Sequence, residues 1–332
     1  MSKAMDSGRM ETPLYRNTPL IESLPLSDCL SGRPVYLKLE NTQPVGSFKL
    51  RGLSRLCQHA IKEGHNTVVT SSGGNAGLAV AYSARKLGIR AKVFVTERTP
   101  QSVIDRLRRE GADVTVAGDV WDIADIAARE FVKDEGGFYC HPFDDPIVWS
   151  GHASMMAEIR ECLGSSRPLA VVTCVGGGGL LCGILQGLHE VGWKDVPVVA
   201  METEGAASYK AASIEGRPVT LQALTSVATS LGALRVCQRS VDYLHEHTIF
   251  PEVVTDKEAV DACFKFADDH RMLVEPACGA TLAGIYSGVI ARLIAEGRLV
   301  DNGGPVMVIV CGGSSANLAA LQKWKEIVEA NG

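Results

Sequence analysis

Seven short runs of aliphatic and β-branched residues, spaced by segments of helical periodicity, restrict this chain more than any other feature. They are VYLKLE (35–40), TVVTSS (67–72), AKVFVT (91–96), DVTVAG (113–118), LAVVTCV (169–175), VPVVAMET (196–203) and PVMVIVCGG (305–313). Between them, residues 53–63, 75–88, 100–110, 121–135, 151–163, 180–191 and 256–270 read as helices. Strand, helix, strand in repetition predicts an α/β fold with mainly parallel sheets covered on both faces. The units form two clusters, one from about 50 to 143 and one from about 150 onward, so two doubly wound domains are expected. HPFDDPIVWSGH (141–152), with two prolines and a glycine, reads as the crossing between them. A cleft between two such domains is the expected ligand site.

Of the 332 residues 46% are hydrophobic, enough for a sizeable core, and the net charge is -5. No basic excess is available for nucleic acid or an anionic membrane surface. No apolar run is read as reaching the roughly 18 residues of a membrane span. Residues 1–17 are polar, lack the apolar region of a signal peptide, and are expected to form a short disordered tail. Ten cysteines include no C-x-x-C pair, which argues against both zinc and a disulfide framework. Most lie in apolar runs, as small hydrophobes in a reducing compartment, so a cytoplasmic location is expected.

Three strands run into glycine-rich turns that open helices: SSGGNAG (71–77), GGGGL (176–180) and CGGSSAN (311–317). In α/β sheets ligands bind beyond the carboxyl ends of the strands, where glycine lets backbone N–H groups approach an anion. GGGGL suits a phosphate; its plain alternative is a tight turn packed under a neighbour. It fails the dinucleotide pattern G-x-G-x-x-G at Leu181, and no Walker loop exists. SSGGNAG brings the hydroxyls of Ser71 and Ser72 and the Asn75 amide to a helix N-terminus, which suits a carboxylate. Ser72 or Asn75 could equally be a helix cap.

Lys49 lies between Phe48 and Leu50, after Gly46 and Ser47. A surface charge is the ordinary reading of such a lysine. With an anion cradle and a carboxylate cradle on the same chain, a buried nucleophilic amine becomes the more informative one. Such lysines form Schiff bases with aldehydes, and pyridoxal phosphate carries both an aldehyde and a phosphate.

GSFKLRG, SSGGNAG, GGGGL and CGG, in this order, resemble the fold type II pyridoxal-phosphate enzymes, above all their serine dehydratase and threonine deaminase branch. The resemblance runs from TPL (18–20) to CGG (311–313). It includes FDDPIVWSGHAS (143–154, interrupted at Val148), AMET (200–203), MLVEPACGA (272–280) and VIVCGGS (308–314). It implies a large cofactor-binding domain over 1–49 and 144–332, a small substrate-loop domain over 50–143, and the cofactor in the cleft. It implies Lys49 as the Schiff-base lysine, Phe48 against the cofactor ring, and Asn75 at the pyridine 3-hydroxyl. Ser72, Gly73 and Asn75 would hold the substrate carboxylate, and Gly176, Gly177, Gly178, Gly179 and Leu180 the phosphate. Cys311 would face the pyridine nitrogen; a thiol is a weak donor, and a weakened electron sink favours elimination. The sequence alone reads Cys311 as a core cysteine.

The resemblance further implies a potassium site built from Glu202 and carbonyls near Gly176, Ala206, Leu231 and Ala233, and a homodimer. Without it, Glu202 reads as a strand-end surface acid. Relatives carry Ala, Gly or Ser at position 73, and a serine there supplies the second proton of racemases; Gly73 therefore implies dehydration without efficient racemisation. The implied reaction converts L-serine to pyruvate and ammonia, and L-threonine to 2-oxobutyrate and ammonia, with Lys49 taking the α-proton. Gly73 and Val45 are expected to leave room for a larger substituent, so β-elimination or β-replacement on a modified serine is the alternative. A non-catalytic pyridoxal-phosphate protein and a nicotinamide dehydrogenase are the readings from other classes.

Overall fold

The computed structural model describes residues 12–119 and 121–330. Among the described residues ten strands form two sheets. They are β1 (Leu20–Glu22), β2 (Val35–Leu39), β3 (Thr67–Thr70), β4 (Arg90–Val95), β5 (Asp113–Val116), β6 (Phe138–Tyr139), β7 (Ala170–Cys174), β8 (Val198–Thr203), β9 (Ile249–Val254) and β10 (Val306–Val310). The larger sheet has the order β1-β2-β10-β7-β8-β9 and the smaller β5-β4-β3-β6. Every pairing is parallel except β1 with β2. The expected α/β architecture with mainly parallel sheets is therefore observed. Strands β2, β7, β8 and β10 are buried almost throughout, which is why they read as continuous apolar runs.

The chain order of the larger sheet sets β10 beside β7, with Val308 opposite Val172. The loops that follow these two strands, at Cys311 and at Gly176, therefore open side by side.

The Lys49–Lys62 helix buries Leu50, Leu53, Leu56, Cys57 and Ala60 on one face. It crosses the Pro146–Leu163 helix where Gly52 and Gly151 meet. A Cβ on Gly151 would lie 2.6 Å from the Gly52 Cα, so only glycine allows this approach. Near the crossing, Arg51 is fully buried. Its guanidinium donates to Glu40 (2.7 and 2.8 Å) and to Glu158 (2.7 Å), and Lys38 pairs with Glu158 at 2.5 Å. Two cations and two carboxylates thus compensate each other where water is excluded.

Two expectations need correction. The tail expected over 1–17 lies in its first eleven residues outside the described residues. The rest is ordered: Arg16 exchanges backbone hydrogen bonds with the Gln43 side chain at 2.9 Å, and Tyr15 stacks on Arg51 at 4.8 Å. One stretch, Pro276–Ala295, is long and apolar enough to cross a bilayer, where none was expected. It consists of two helices, Pro276–Tyr286 and Val289–Ala295, separated at Gly288 (φ 77°), and the first is buried from Pro276 to Ile285. An apolar helix packed on all sides satisfies the same composition as a membrane span.

Candidate active site

Lys49 is the first residue of its helix, and the loop before it is laced to the end of β10. Ser47 bridges Gly312, the Gly313 amide donates to the Gly46 carbonyl (2.9 Å), and the Phe48 amide donates to the Cys311 carbonyl (3.2 Å). A Cβ on Gly312 would stand 2.3 Å from the Gly46 oxygen, so the glycine is a steric requirement of this contact. The half-buried Lys49 side chain passes over the Phe48 ring (5.3 Å), and its Nζ donates to the Pro142 carbonyl at 2.6 Å. Desolvation lowers the amine to about 8, against the opposing pull of the Cys174 and Cys311 thiols. Lys49 is not an ordinary surface charge.

Cys311 lies beneath it, buried, with its sulfur 3.5 Å from that of Cys174. Hydrogen bonding with Cys174 and Cys278, together with burial, holds the Cys311 thiol well above its ordinary range. It remains a neutral, weak hydrogen-bond partner. All ten cysteines are free thiols.

SSGGNAG divides its side chains. Ser71 turns away from the lysine and bonds Asp125 (2.7 Å) and Tyr139 (3.1 Å), so the expected pair of hydroxyls is reduced to Ser72. Neither Ser72 nor Asn75 caps the following helix, Asn75–Leu87: its N-cap is Gly74, without a side-chain bond. Asn75 instead bonds two segments distant in sequence. Its Oδ1 accepts from the Ser314 amide (2.8 Å) and its Nδ2 donates to Glu275 (3.1 Å). Room for a larger substituent was expected around Gly73 and Val45. A Cβ at Gly73 would meet Thr99 at 3.0 Å and Val95 at 3.1 Å, and Val45 is buried in the core of the smaller unit.

GGGGL is both a cradle and a tight turn. A Cβ on Gly177 would strike the Phe143 ring at 2.4 Å, one on Gly178 would meet Ser240 at 2.9 Å, and one on Gly179 the Phe143 carbonyl at 2.6 Å. Gly178 (φ 92°) caps the Gly179–Glu190 helix, whose first turn has no side-chain partner. Its amides and the positive end of its dipole are free for an anion. Phe143 connects this loop to the lysine, since it directly follows the Pro142 carbonyl.

Glu202 is fully buried, which corrects its reading as a surface acid. Its two oxygens accept from the Tyr209 and Lys210 amides, each at 2.7 Å. Burial nevertheless pushes the carboxyl up to about 8, with the two amides opposing. Beside it the Ser208 hydroxyl is buried without a partner. Leu231 packs on Gly176, with 3.3 Å between its oxygen and a Cβ placed there, so part of the expected carbonyl set is assembled. Among the described residues no group of three His, Cys, Asp or Glu is placed to hold a metal. Any ion here would depend on carbonyls.

The site also contains residues that the sequence did not single out. His141 accepts from the Asp144 amide at 2.8 Å through Nδ1, which places its proton on Nε2. Burial, reinforced by Arg129 and Lys49, lowers it to about 4, so it is neutral near pH 7. The buried Glu275 carboxylate contacts three separate segments. A carboxylate directly before a proline-initiated helix carries a sequence signal, but an N-terminal acid is also common at any helix start.

This arrangement has known counterparts. Residues 11–312 match the family described as "Pyridoxal-phosphate dependent enzyme". The mouse protein named "Serine dehydratase-like" is 53% identical over 94% of this chain and 94% of its own. Mouse "L-serine dehydratase/L-threonine deaminase" is 51% identical over 96% of this chain and 97% of its own. Among solved structures, a fungal L-serine ammonia-lyase from Rhizomucor miehei superposes with a TM-score of 0.89 at 36% identity, covering 95% of this chain and 99% of that one. A family match that takes in Lys49, both glycine cradles and Cys311, with relatives about half identical along nearly their whole length, places this chain among the pyridoxal-phosphate dependent enzymes.

Proposed function

We propose that this protein is an L-serine and L-threonine ammonia-lyase that uses pyridoxal phosphate. The observation that carries the reading is the Lys49 amine, lowered to about 8 and held by the Pro142 carbonyl next to the glycine cradle. Pyridoxal phosphate fits these residues: the uncapped turn at Gly179 suits its phosphate, and Lys49 its aldehyde. When bound, the cofactor supplies the electron sink that acidifies the substrate Cα–H.

The chain's own groups divide the remaining work. Gly176 to Leu180 hold the phosphate through backbone amides, and Phe48 packs on the ring. Asn75 would donate to the ring oxygen, and Cys311, held neutral, would be the weak partner of the ring nitrogen. Ser72, Gly73 and the backbone amide of Asn75 would receive the substrate carboxylate. Lys49, whose lowered value leaves a share of neutral amine near pH 7, would take the proton from Cα, and the β-hydroxyl would take up one proton and leave as water. Hydrolysis then gives pyruvate or 2-oxobutyrate and ammonia.

Small β-hydroxy amino acids are the substrates assigned, with β-elimination or β-replacement on a modified serine as the alternative. We assign 50–143 as the substrate-loop domain and 1–49 with 144–332 as the cofactor domain. We also assign potassium to Glu202 with carbonyls of Gly176, Ala206, Leu231 and Ala233. A homodimer in the cytoplasm completes the reading, and ten free thiols suit that compartment.

The test is an absorbance scan of the purified protein with added cofactor, then L-serine with coupled pyruvate detection, alongside Lys49→Ala. A visible band and pyruvate release, both lost in the variant, are expected. A band without pyruvate from L-serine or 2-oxobutyrate from L-threonine would overturn the reaction assigned. No band at all would overturn the cofactor.

A further inference from the structure

The Glu275 carboxylate, 3% exposed, sits where three separate segments converge. It precedes the Pro276–Tyr286 helix of the larger unit. Its Oε1 accepts from the Ser315 amide (2.8 Å) and hydroxyl (2.6 Å), in the loop after β10. Its Oε2 accepts from Asn75 Nδ2 (3.1 Å), at the start of a helix of the smaller unit, and from the Ser230 hydroxyl. The same loop is clasped from the other side: the Ser314 amide donates to Asn75 Oδ1 (2.8 Å), and Arg106 donates to the Ser314 carbonyl.

The polarity of this circuit is fixed by two backbone amides. The Ser314 N–H can only donate, so Asn75 must turn its oxygen toward it. Its Nδ2 then faces Glu275 and requires an acceptor there. The Ser315 N–H can only donate as well, so the other Glu275 oxygen must also accept. A carboxylate meets both demands, and an amide does not: its oxygen can serve one side only, which leaves N–H against N–H on the other. A primary amide has two donors. One of the Asn75 donors is used by Glu275, and its acceptor is engaged by Ser314, so a single N–H is left with its direction set.

We propose that Glu275 is the positioning residue of the cofactor site: it fixes the Asn75 amide so that this remaining N–H points at the cofactor ring, and joins the smaller unit to the loop that carries Cys311. The inference rests on the proposed use of pyridoxal phosphate. Glu275 itself takes no part in proton transfer.

The experiment compares wild type with Glu275→Gln and Glu275→Ala. Three quantities are measured: the thermal midpoint of the cofactor-free protein, the Kd for pyridoxal phosphate from its visible band, and the pH at which that band titrates. Glu275→Gln keeps the shape and volume of the side chain and guards against a folding failure of the alanine variant. In Glu275→Gln, a Kd raised by about tenfold or more and a displaced band titration, with a cofactor-free midpoint that falls less than that of Glu275→Ala, are expected. Glu275→Asp, which retains two acceptors on a shorter stem, should recover part of the loss. A normal wild-type band with the same Kd and titration in Glu275→Gln overturns this inference alone. A Glu275→Gln midpoint that falls as far as that of Glu275→Ala, without a displaced band titration, overturns it in favour of a purely structural carboxylate. A wild-type protein that forms no band overturns the proposed function and this inference together.

Discussion

The Lys49 ammonium and the Pro142 carbonyl face each other at 2.6 Å, joining the start of one helix to the loop after β6. A single neutral acceptor cannot replace the water that this cation loses. Desolvation accordingly brings the amine from 10.5 down to about 8. Below pH 8 both folded and unfolded chains hold the proton, and the folded chain bears the full cost. Between pH 8 and 10.5 the unfolded chain binds more protons, so stability rises with pH across that window. In the cofactor-free protein, Lys49→Met should therefore be more stable than wild type at pH 7, by about 1–3 kcal/mol, with the advantage shrinking toward pH 10.5. Urea unfolding at pH 7 and 10 tests this, and a constant difference would contradict the desolvated amine.

Much of this was legible in the chain. All seven strands read from apolar runs are present; β2, β3, β7, β8 and β10 are buried almost throughout and must be apolar, while the exposed edge strand β5 was legible from its β-branched residues. The three that were not read give weak signals: β1 and β6 have three and two residues, and β9 is a half-buried edge interrupted by Pro251. The Pro276–Tyr286 helix is buried on all sides and so has no apolar stripe to find. The lysine and the glycine loops stood out in the sequence itself, whereas Cys311 was singled out only by the family resemblance, since by itself it reads as one more core cysteine. The acceptor for Lys49 did not stand out, since it is a backbone carbonyl and any residue would supply it. The direction in which Ser71 turns was equally invisible, because it depends on Asp125, more than fifty residues away.

Arg51, two residues beyond the lysine, tests whether the buried ion network supports the site. Its guanidinium is the partner of Glu40, which is fully buried. Arg51→Met should destabilise the protein by about 3–5 kcal/mol, because it leaves that carboxylate buried without its cation. Adding Glu40→Gln removes the stranded charge and should restore part of the loss. Denaturant unfolding of the single and double variants measures this; a loss well under about 1 kcal/mol for Arg51→Met would show that water reaches the network.

Gly177 and Phe143 offer a coupled test of the phosphate cradle. A Cβ on Gly177 would overlap the Phe143 ring, at 2.4 Å. Gly177→Ala should therefore cost about 1–3 kcal/mol through overpacking and weaken cofactor binding. Phe143→Ala alone, at a partly buried ring, should cost about 1–3 kcal/mol. If the two sites share one volume, the double variant should lose measurably less than the sum of the two singles. Strict additivity in thermal unfolding would mean that the loop moves away from the ring.

Glu202 connects stability, pH and the assigned potassium. Its folded carboxyl is raised from 4.5 to about 8. Between these values the folded chain binds more protons than the unfolded one, so this group's contribution is complete below pH 4.5 and is lost as pH rises through 8. Glu202→Gln should flatten that dependence. A potassium ion at the carboxylate needs it ionised, and near pH 6 the ion must first displace a proton, whereas at pH 8 about half of the sites are already free. Potassium chloride should therefore raise the melting temperature over choline chloride more at pH 8 than at pH 6, through mass action on the folded state. The gain should vanish in Glu202→Gln, and ion binding in unbuffered solution at pH 6–7 should release protons. An equal gain at both pH values, or one that survives in Glu202→Gln, would place the ion elsewhere and leave Glu202 as an anchor for the Tyr209 and Lys210 amides.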